Sequence, residues 1–215
     1  MIVYGSSISP FVRKVLAFAA EKGIALESKP LGLGSDDPDF LAASPFRKIP
    51  AFSDGDFAIS DSSAIIAYLD ALHPEPNLIP TDPQPRARTV WYDEFSDTLL
   101  ASCGAKMFFN RVVAPRFLGR AGDEEVAKRA ESDELPPLLD YLERVIPPSG
   151  FLVEDRLTLA DIAVASPFAN LQHLSIAIDP VQYPKLMAYV EVILGRPSFK
   201  HWVDRETAFL QRTAA

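Results

Sequence analysis

Apolar residues between positions 1 and 72 follow two different spacings. Between residues 10 and 22 they recur every three or four positions, which predicts an amphipathic helix that ends before Gly23. Shorter apolar runs favour strands, and Asp54-Gly55 between two such runs is a strong β-hairpin signal. The residues that carry the helical spacing are Val12, Val15, Leu16 and Ala19.

The predicted elements of this first part have the order βαβαββα. Strands are predicted at residues 1–4, 24–31, 49–53 and 57–59, and helices at 10–22, near 38–43 and from 61 or 62 onward. Strands that alternate with helices favour parallel pairing, and the hairpin adds an antiparallel edge. The first part is therefore predicted to be a small α/β domain.

Five prolines between residues 73 and 85 mark the best domain boundary in the chain, because neither a helix nor a central strand tolerates that density. We expect domains at residues 1–77 and 84–215 and a linker at 78–83. The second domain is predicted to be all helical. Pro115 should end or bend its first helix, and Pro136-Pro137 should break or kink the second. The predicted helices are 84–113, 123–146, 158–174, 184–194 and 198–210.

Composition and charge exclude several classes of function. The chain of 215 residues is 48% apolar and carries 29 acidic against 21 basic residues, a formal net charge of −8. This balance argues against a nucleic-acid binder and against attraction to an anionic membrane. No apolar run has membrane-spanning length and the first residues do not resemble a signal peptide, so we expect a soluble, cytoplasmic protein. A lone Cys103 and scattered histidines predict no metal site.

Two candidate motifs of the first domain each have a plain structural interpretation. Ser9-Pro10 is typical of a helix N-cap with Pro at the first helical position. The same geometry would place the Ser9 hydroxyl at an electropositive helix end, which suits a thiolate or a carboxylate. Ile49-Pro50 is typical of a strand start, although the backbone of Ile49 could also pair with an extended peptide ligand.

A third motif, Asp61-Ser62, opens the next predicted helix. Capping is again the simpler interpretation. Alternatively, Ser62 and the helix N-terminus bind a carboxylate while Asp61 pairs with an ammonium group, the two charges of an α-amino acid. In the second domain, Thr158 and Asp161 resemble a capping box, for which we favour a structural role.

The order and spacing of these motifs resemble the glutathione transferase family over nearly the whole chain. The matching runs are residues 9–14 (SPFVRK), 48–52 (KIPAF), 61–69 (DSSAIIAYL), 151–152 (FL), 157–162 (LTLADI) and 196–198 (RPS). The chain is most similar to serine-type members of bacterial or tau-like character. The resemblance implies a thioredoxin-like N-terminal domain followed by an all-α domain. It also implies a homodimer formed through the helix from Asp61 and the helix from Gln84.

The resemblance further implies a glutathione site. Serine-type members place the hydroxyl that activates the thiol at the position of Ser9, and some classes use an earlier serine, which leaves Ser6 and Ser7 open. The family's binding residues correspond to Lys48 for the glycyl carboxylate, the backbone of Ile49 before a cis Pro50 for the cysteinyl part, and Asp61 with Ser62 for the γ-glutamyl head. Two departures stand out. Asp61 replaces the usual, longer Glu, and Glu154 replaces a Gly that commonly precedes the capping box.

The implied function is a glutathione transferase, in which a glutathione thiolate attacks a hydrophobic electrophile or reduces a peroxide. Glutathione acts as the substrate, and no metal is expected. Phe11, Trp91 and Phe95 are candidates for the pocket of the electrophile, although aromatic side chains at helical spacing, Phe108 and Phe109 included, are more typical of a core. Two alternatives stay open. One is a non-catalytic interaction module related to the family, and the other is an isomerase or dehalogenase that uses glutathione as a true cofactor.

Overall fold

Four short strands form one mixed sheet in the N-terminal part of the chain. The computed structural model describes residues 1–32 and 34–213. The strands are β1 (Ile2–Tyr4), β2 (Glu27–Lys29), β3 (Ala51–Asp54) and β4 (Phe57–Ser60), and they lie in the order β2-β1-β3-β4. β1 is parallel to β2, whereas β3 is antiparallel to both β1 and β4. The predicted parallel pair and the predicted hairpin are both confirmed.

Three helices accompany this sheet and complete the predicted βαβαββα order. They are α1 (Pro10–Glu21), α2 (Pro38–Ala43) and α3 (Ser62–Leu72). The apolar stripe of α1 is buried as predicted, but Arg13 and Lys14 are buried too, which the stripe does not predict. Residues 73–82 form neither a helix nor a strand, as the density of prolines indicated.

The remainder of the chain is helical, with three π-helical stretches. The α-helices are α4 (Pro83–Phe95), α5 (Ala101–Phe108), α6 (Glu124–Arg129), α7 (Leu135–Val145), α8 (Leu159–His173), α9 (Pro184–Leu194) and α10 (Pro197–Arg212). The π-helical stretches are Ser96–Leu100, Phe109–Phe117 and Ala130–Glu134. No helix among the described residues combines the length and the apolar character needed to cross a membrane.

Each proline prediction offered two outcomes, and the structure contradicts one of them at each site. Neither helical run stops at its prolines, whereas the bend at Pro115 and the kink at Pro136-Pro137 stay predictions. Pro115 does not end the first helical run but lies inside the π-helical stretch that continues to Phe117. The second run likewise passes through Pro136-Pro137 instead of breaking there, because a π-helical stretch immediately precedes α7. Proline lacks an N–H and clashes with the carbonyl four residues earlier, and a wider turn accommodates both effects.

Helix α8 forms the centre of the helical part and is buried along most of its length. The Asp161 carboxylate stabilises its start by accepting hydrogen bonds from the backbone N–H groups of Thr158 (2.9 Å) and Leu152 (2.8 Å). The capping box predicted at this position is therefore confirmed. Glu154, which replaces the family's glycine, has a φ of 57° and so occupies the left-handed backbone region that glycine adopts freely.

Candidate functional site

The loop between β1 and α1 carries the candidate hydroxyls. Gly5 turns the chain into this loop with a φ of 127°. A Cβ at this position would lie 2.9 Å from the side chains of both Ile49 and Val12, so only glycine lets the segment around Ile49 approach the loop this closely. The Ile49–Pro50 peptide bond is cis.

Ser9 occupies the N-cap position of α1, but its side chain does not cap the helix. Its backbone has extended dihedral angles, φ −66° and ψ 125°, and Pro10 begins the helix. The Ser9 hydroxyl forms no hydrogen bond with any described residue, whereas Ser6 accepts a bond of 3.4 Å from the Ile8 N–H. The simpler interpretation of Ser9, a capping side chain, is therefore not what the structure shows. Its hydroxyl is available to a ligand at the helix N-terminus.

A cavity of about 650 Å³ opens beside this loop. Ser6, Ser7, Ser9 and Ile49 lie in its wall, together with Phe11 of α1. The opposite walls come from the helical part of the chain. They include Phe108, Phe109 and Phe117 from the first helical run and Phe209 from α10. The lining is mostly apolar, so the cavity suits a hydrophobic ligand next to the candidate hydroxyls.

The structure places one of the three predicted pocket aromatics in this wall and two elsewhere. Phe11 lines the cavity, whereas Trp91 and Phe95 do not. Phe95 is buried in the core, and Trp91 stacks on it at 5.4 Å on the outer side of α4. The wall residues Phe108 and Phe109, which the sequence indicated as core, lie about four to five turns further along the same helical run.

Asp61 adjoins the cis proline, because its N–H donates a hydrogen bond to the Pro50 carbonyl at 3.3 Å. The Asp61 backbone has a φ of 89°, a strained value for a residue with a side chain. Its carboxylate caps α3 by accepting bonds of 3.0 Å from the N–H groups of Ser63 and Ala64. The side chain is exposed. Capping and an exposed negative charge thus coincide at Asp61.

The two other predicted binding residues have different environments. The Lys48 side chain is exposed, and its backbone is held by reciprocal hydrogen bonds with the Ser44 hydroxyl at 2.7 and 2.8 Å. Ser62 is buried, and its hydroxyl donates to the Asp97 carboxylate at 3.3 Å. The structure thus brings Lys48, Ile49, Pro50 and Asp61 to one end of the paired strands β3 and β4 but turns the Ser62 hydroxyl inward.

A buried ion network supports the start of α3. The Lys14 ammonium lies 2.7 Å from the carboxylates of both Asp93 and Asp97. The Ser63 hydroxyl donates to Asp93, also at 2.7 Å. Burial raises the pKa of Asp97, and the Lys14 charge opposes that rise. Sequence reasoning missed this network. Its signal was two consecutive cations inside the apolar stripe of α1.

A second buried network holds the loop that carries the candidate hydroxyls. The Arg13 guanidinium forms an ion pair with Glu206 of α10, hydrogen bonds with Asn170, and donates to the Ser7 carbonyl at 3.3 Å. Asn170 in turn donates to the Ile8 carbonyl at 2.9 Å. Arg13 of α1 and Asn170 of α8 thus hold the backbone of this loop, and Glu206 of α10 holds Arg13 in place.

Comparisons with known proteins agree with this architecture. The chain matches the model of the glutathione S-transferase N-terminal domain over residues 3–77 and the model of the C-terminal domain over residues 111–206. It is 31% identical over 211 residues to glutathione S-transferase 3 of Zea mays, covering 94% of this chain and 92% of that protein. It is 29% identical over 211 residues to a glutathione S-transferase of Hyoscyamus muticus, covering 95% and 98%. The crystal structure of glutathione transferase F7 from Populus trichocarpa has a TM-score of 0.81 at 25% identity and covers 94% of this chain and 97% of that one.

The fold and the cavity define a two-domain protein, in which a thioredoxin-like N-terminal domain is joined to a helical C-terminal domain. The chain belongs to the glutathione S-transferase family. Its activity is accordingly that of a glutathione transferase.

Proposed function

We propose that the Ser9 hydroxyl activates the glutathione thiol for attack on a hydrophobic electrophile held in the cavity. The observation that carries this proposal is the free hydroxyl of Ser9, which lies in the cavity wall at the N-terminal end of α1 and does not cap the helix. A thiol with a pKa near 8.5 is mostly protonated at pH 7. A hydroxyl that donates to sulfur, together with the helix end, favours the thiolate, and each unit of lowering of the thiol pKa corresponds to about 1.36 kcal/mol.

The proposed glutathione site lies at the end of strands β3 and β4 where Pro50 and Asp61 meet. We assign the backbone of Ile49 to the cysteinyl part and the Lys48 ammonium to the glycyl carboxylate. The Asp61 carboxylate would pair with the γ-glutamyl ammonium. The strained, exposed Asp61 supports this assignment, because backbone strain tends to occur at functional sites. Since the Ser62 hydroxyl donates to Asp97, we assign the γ-glutamyl carboxylate to the Ser62 backbone N–H at the start of α3.

Replacement of Ser9 tests the proposed activation. In Ser9→Ala we expect a higher thiol pKa of bound glutathione and a roughly ten- to a hundredfold lower conjugation rate at pH 7. This follows because a hydrogen bond to a charged acceptor is worth about 1.5–3 kcal/mol. The affinity for glutathione should change little. The measurement is a pH–rate profile beside a titration with glutathione.

The neighbouring serines provide the matched controls for this test. Ser6→Ala and Ser7→Ala should leave the pH–rate profile where it is in the unmodified protein. An unshifted profile in Ser9→Ala, combined with a shift in one of these two variants, would assign the hydroxyl to that residue and overturn the role of Ser9.

A cysteine at position 9 should replace conjugation with thiol–disulfide exchange. The thiol of Ser9→Cys would lie at a helix N-terminus, where its pKa falls and it becomes a nucleophile. We expect this variant to form a mixed disulfide with glutathione and to reduce disulfides while conjugation declines. Mass spectrometry that finds no glutathione adduct on the variant would contradict this expectation.

The head-group assignment is tested by a charge-only replacement of Asp61. Asp61→Asn keeps an oxygen that can cap α3 and removes the negative charge, so we expect weaker glutathione binding with little change in the free energy of unfolding. Asp61→Ala should in addition lose about 0.5–2 kcal/mol of stability, because the cap is lost. Unchanged affinity in both variants, measured by isothermal titration, would refute the assignment.

The same titration separates an enzyme from a non-catalytic module. We expect glutathione to bind in the low-millimolar range or more tightly, where a Kd of 1 mM corresponds to about −4.1 kcal/mol. Absence of binding up to about 10 mM would favour an interaction module. Organic peroxides in the assay test the further proposal of peroxide reduction. We propose the cytoplasm as the site of action, since glutathione is mostly reduced there.

A further inference from the structure

The cavity-facing edge of α10 carries two cations on either side of an aromatic ring. Arg205, Phe209 and Arg212 all line the cavity and follow one another at helical spacing. Seven residues at 1.5 Å each separate the two arginines by roughly 10 Å along the helix. The Arg205 guanidinium lies 5.5 Å from the centre of the Trp202 ring, the geometry of a cation–π contact.

Two further arginines contact this region. Arg116 donates to the Leu210 carbonyl on α10 at 3.1 Å, and Arg120 lies 5.5 Å from the centre of the Phe109 ring in the cavity wall. Within residues 1–32 and 34–213, none of these four arginines has a carboxylate within 4 Å; the arginines that do are Arg13, Arg47, Arg111, Arg156 and Arg196. In a chain with a net charge of −8, Arg205 and Arg212 thus bring positive charge without an ion-pair partner among these residues to the cavity wall.

Small side chains and aromatic rings together form the cavity wall. Ala101, Gly104 and Ala105 present a small-residue face of α5 to the cavity. Phe117 and Phe209 also line the cavity, and their rings stack in parallel with their centres 5.9 Å apart. These surfaces suit a planar aromatic ligand.

We propose that the electrophile is a planar aromatic compound that carries an anionic group, a carboxylate or a sulfonate. This inference rests on the proposed function. The ring lies among the phenylalanines, the anionic group meets Arg205 and Arg212, and the electrophilic carbon faces the Ser9 end of the cavity. Glu206, a carboxylate in the same wall, does not oppose the ligand's charge, because it is paired with Arg13.

A matched pair of substrates tests the proposal, namely 4-chloro-3,5-dinitrobenzoate and its neutral carboxamide. In both, the glutathione sulfur forms a bond to the ring carbon, chloride leaves with the electron pair of its bond, and the thiol proton passes to solvent. The kcat/KM of each substrate is divided by its uncatalysed rate constant to remove the difference in intrinsic reactivity. We expect the carboxylate to be preferred roughly three- to tenfold at low ionic strength, since exposed charge pairs contribute modestly. The preference should decline with added salt.

Substitutions on α10 test whether its two arginines cause the preference for the carboxylate substrate. In the double variant Arg205→Gln with Arg212→Gln, the ratio of carboxylate to carboxamide should fall to about one. Arg144→Gln is the control, because Arg144 is also exposed and also contacts an aromatic ring, that of Tyr141 at 5.6 Å, but does not line the cavity. This control should keep the ratio of the unmodified protein. Equal turnover of the two substrates, or a ratio that survives the double variant, would overturn the proposal and leave the proposed function intact.

A binding measurement keeps the inference testable even without turnover. Trp202 lies beside Arg205, so its fluorescence should report on nitroaromatic ligands at the cavity mouth. We expect 3,5-dinitrobenzoate to quench at lower concentration than 3,5-dinitrobenzamide, and the double variant to remove the difference. Equal affinities would overturn the proposal whatever the turnover. Tighter binding of the benzoate with no conjugation of either substrate would support an anion site but overturn the proposal that such a compound is the electrophile.

Discussion

At the scale of single residues, the Arg13–Glu206 pair is a buried ion pair whose loss should lower stability. Both side chains are almost completely buried, and the pair joins α1 to α10 directly below the loop of candidate hydroxyls. Arg13 Nε and Glu206 Oε1 are buried without a hydrogen-bond partner among the described residues. Burial of two charges costs desolvation energy that their attraction only partly offsets, so removal of either partner leaves an uncompensated buried charge.

We therefore expect Glu206→Ala to lower the free energy of unfolding by about 3–5 kcal/mol. A double variant, Arg13→Met with Glu206→Leu, should recover most of that loss, because it leaves no charge behind. Urea unfolding followed by circular dichroism measures both. A loss below about 1 kcal/mol in Glu206→Ala would contradict the description of this pair as a closed, buried contact.

The candidate site could be predicted at residue level only in part. Ser9, Ile49 and Asp61 were found because the family motifs name them, although their roles still await experiment. Periodicity could not show that the Ser9 hydroxyl leaves its helix uncapped, since an N-cap and a free hydroxyl have the same sequence. It also could not separate Phe11 from Trp91, because aromatic residues of a core and of a cavity wall share one helical spacing.

At the scale of elements, nearly every predicted helix and strand is present, and the differences lie in element lengths and in the π-helical stretches. The strand predicted at residues 24–31 is shorter, Glu27–Lys29. The three π-helical stretches were not predicted. Helices were predicted from apolar residues that recur with the α-helical period of 3.6 residues per turn, and this period does not fit the wider turn of a π-helix.

The start of α8 gives a prediction for pH dependence. Burial raises the pKa of Asp161 to about 6, although the N–H groups of Leu152 and Thr158 oppose that rise. A carboxyl whose pKa is higher in the folded than in the unfolded state contributes stability that is complete below pH 4 and is lost as the pH rises through 6. Asp161→Asn does not titrate at this position. The stability of the unmodified protein relative to this variant should therefore fall by up to about 3 kcal/mol between pH 4 and pH 7. Denaturant unfolding at both pH values measures this difference, and a constant or rising difference would contradict it.

At the scale of the whole molecule, buried polar contacts fasten the proline-rich segment between α3 and α4. The Lys22 ammonium of the N-terminal part donates to the carbonyls of His73 (2.6 Å) and Pro76 (2.8 Å). A second contact joins the helical part to the N-terminal part of the chain, because Arg196, just before α10, pairs with Glu21 of α1 at 2.7 Å. Proline density in the sequence located this segment, but contacts between residues far apart in the chain have no signal in a single sequence. The exact domain limits, 1–77 and 84–215, stay a prediction.

Exposed apolar side chains on α3, α4 and the nearby loops support the predicted homodimer. Leu72, Val90 and Trp91 are each 45–48% exposed, and Phe46, after α2, is 86% exposed. Exposed large apolar groups are found at interfaces when they form a patch, and a closed twofold dimer is the commonest soluble assembly. The position of Trp91, outside the cavity and on the outer side of α4, agrees with a role in this contact.

Light scattering should accordingly give a mass near twice 23.6 kDa at micromolar concentration. In Trp91→Glu, a charge would be placed in the contact without a partner, so we expect the dimer to dissociate at concentrations where the unmodified protein stays dimeric. Val181→Glu is the matched control, because Val181 is 88% exposed in the segment before α9, away from α3 and α4 in the sequence. It should leave the mass unchanged. A mass near 23.6 kDa for the unmodified protein at every concentration would refute the dimer. Dissociation of both variants alike would remove α4 from the contact.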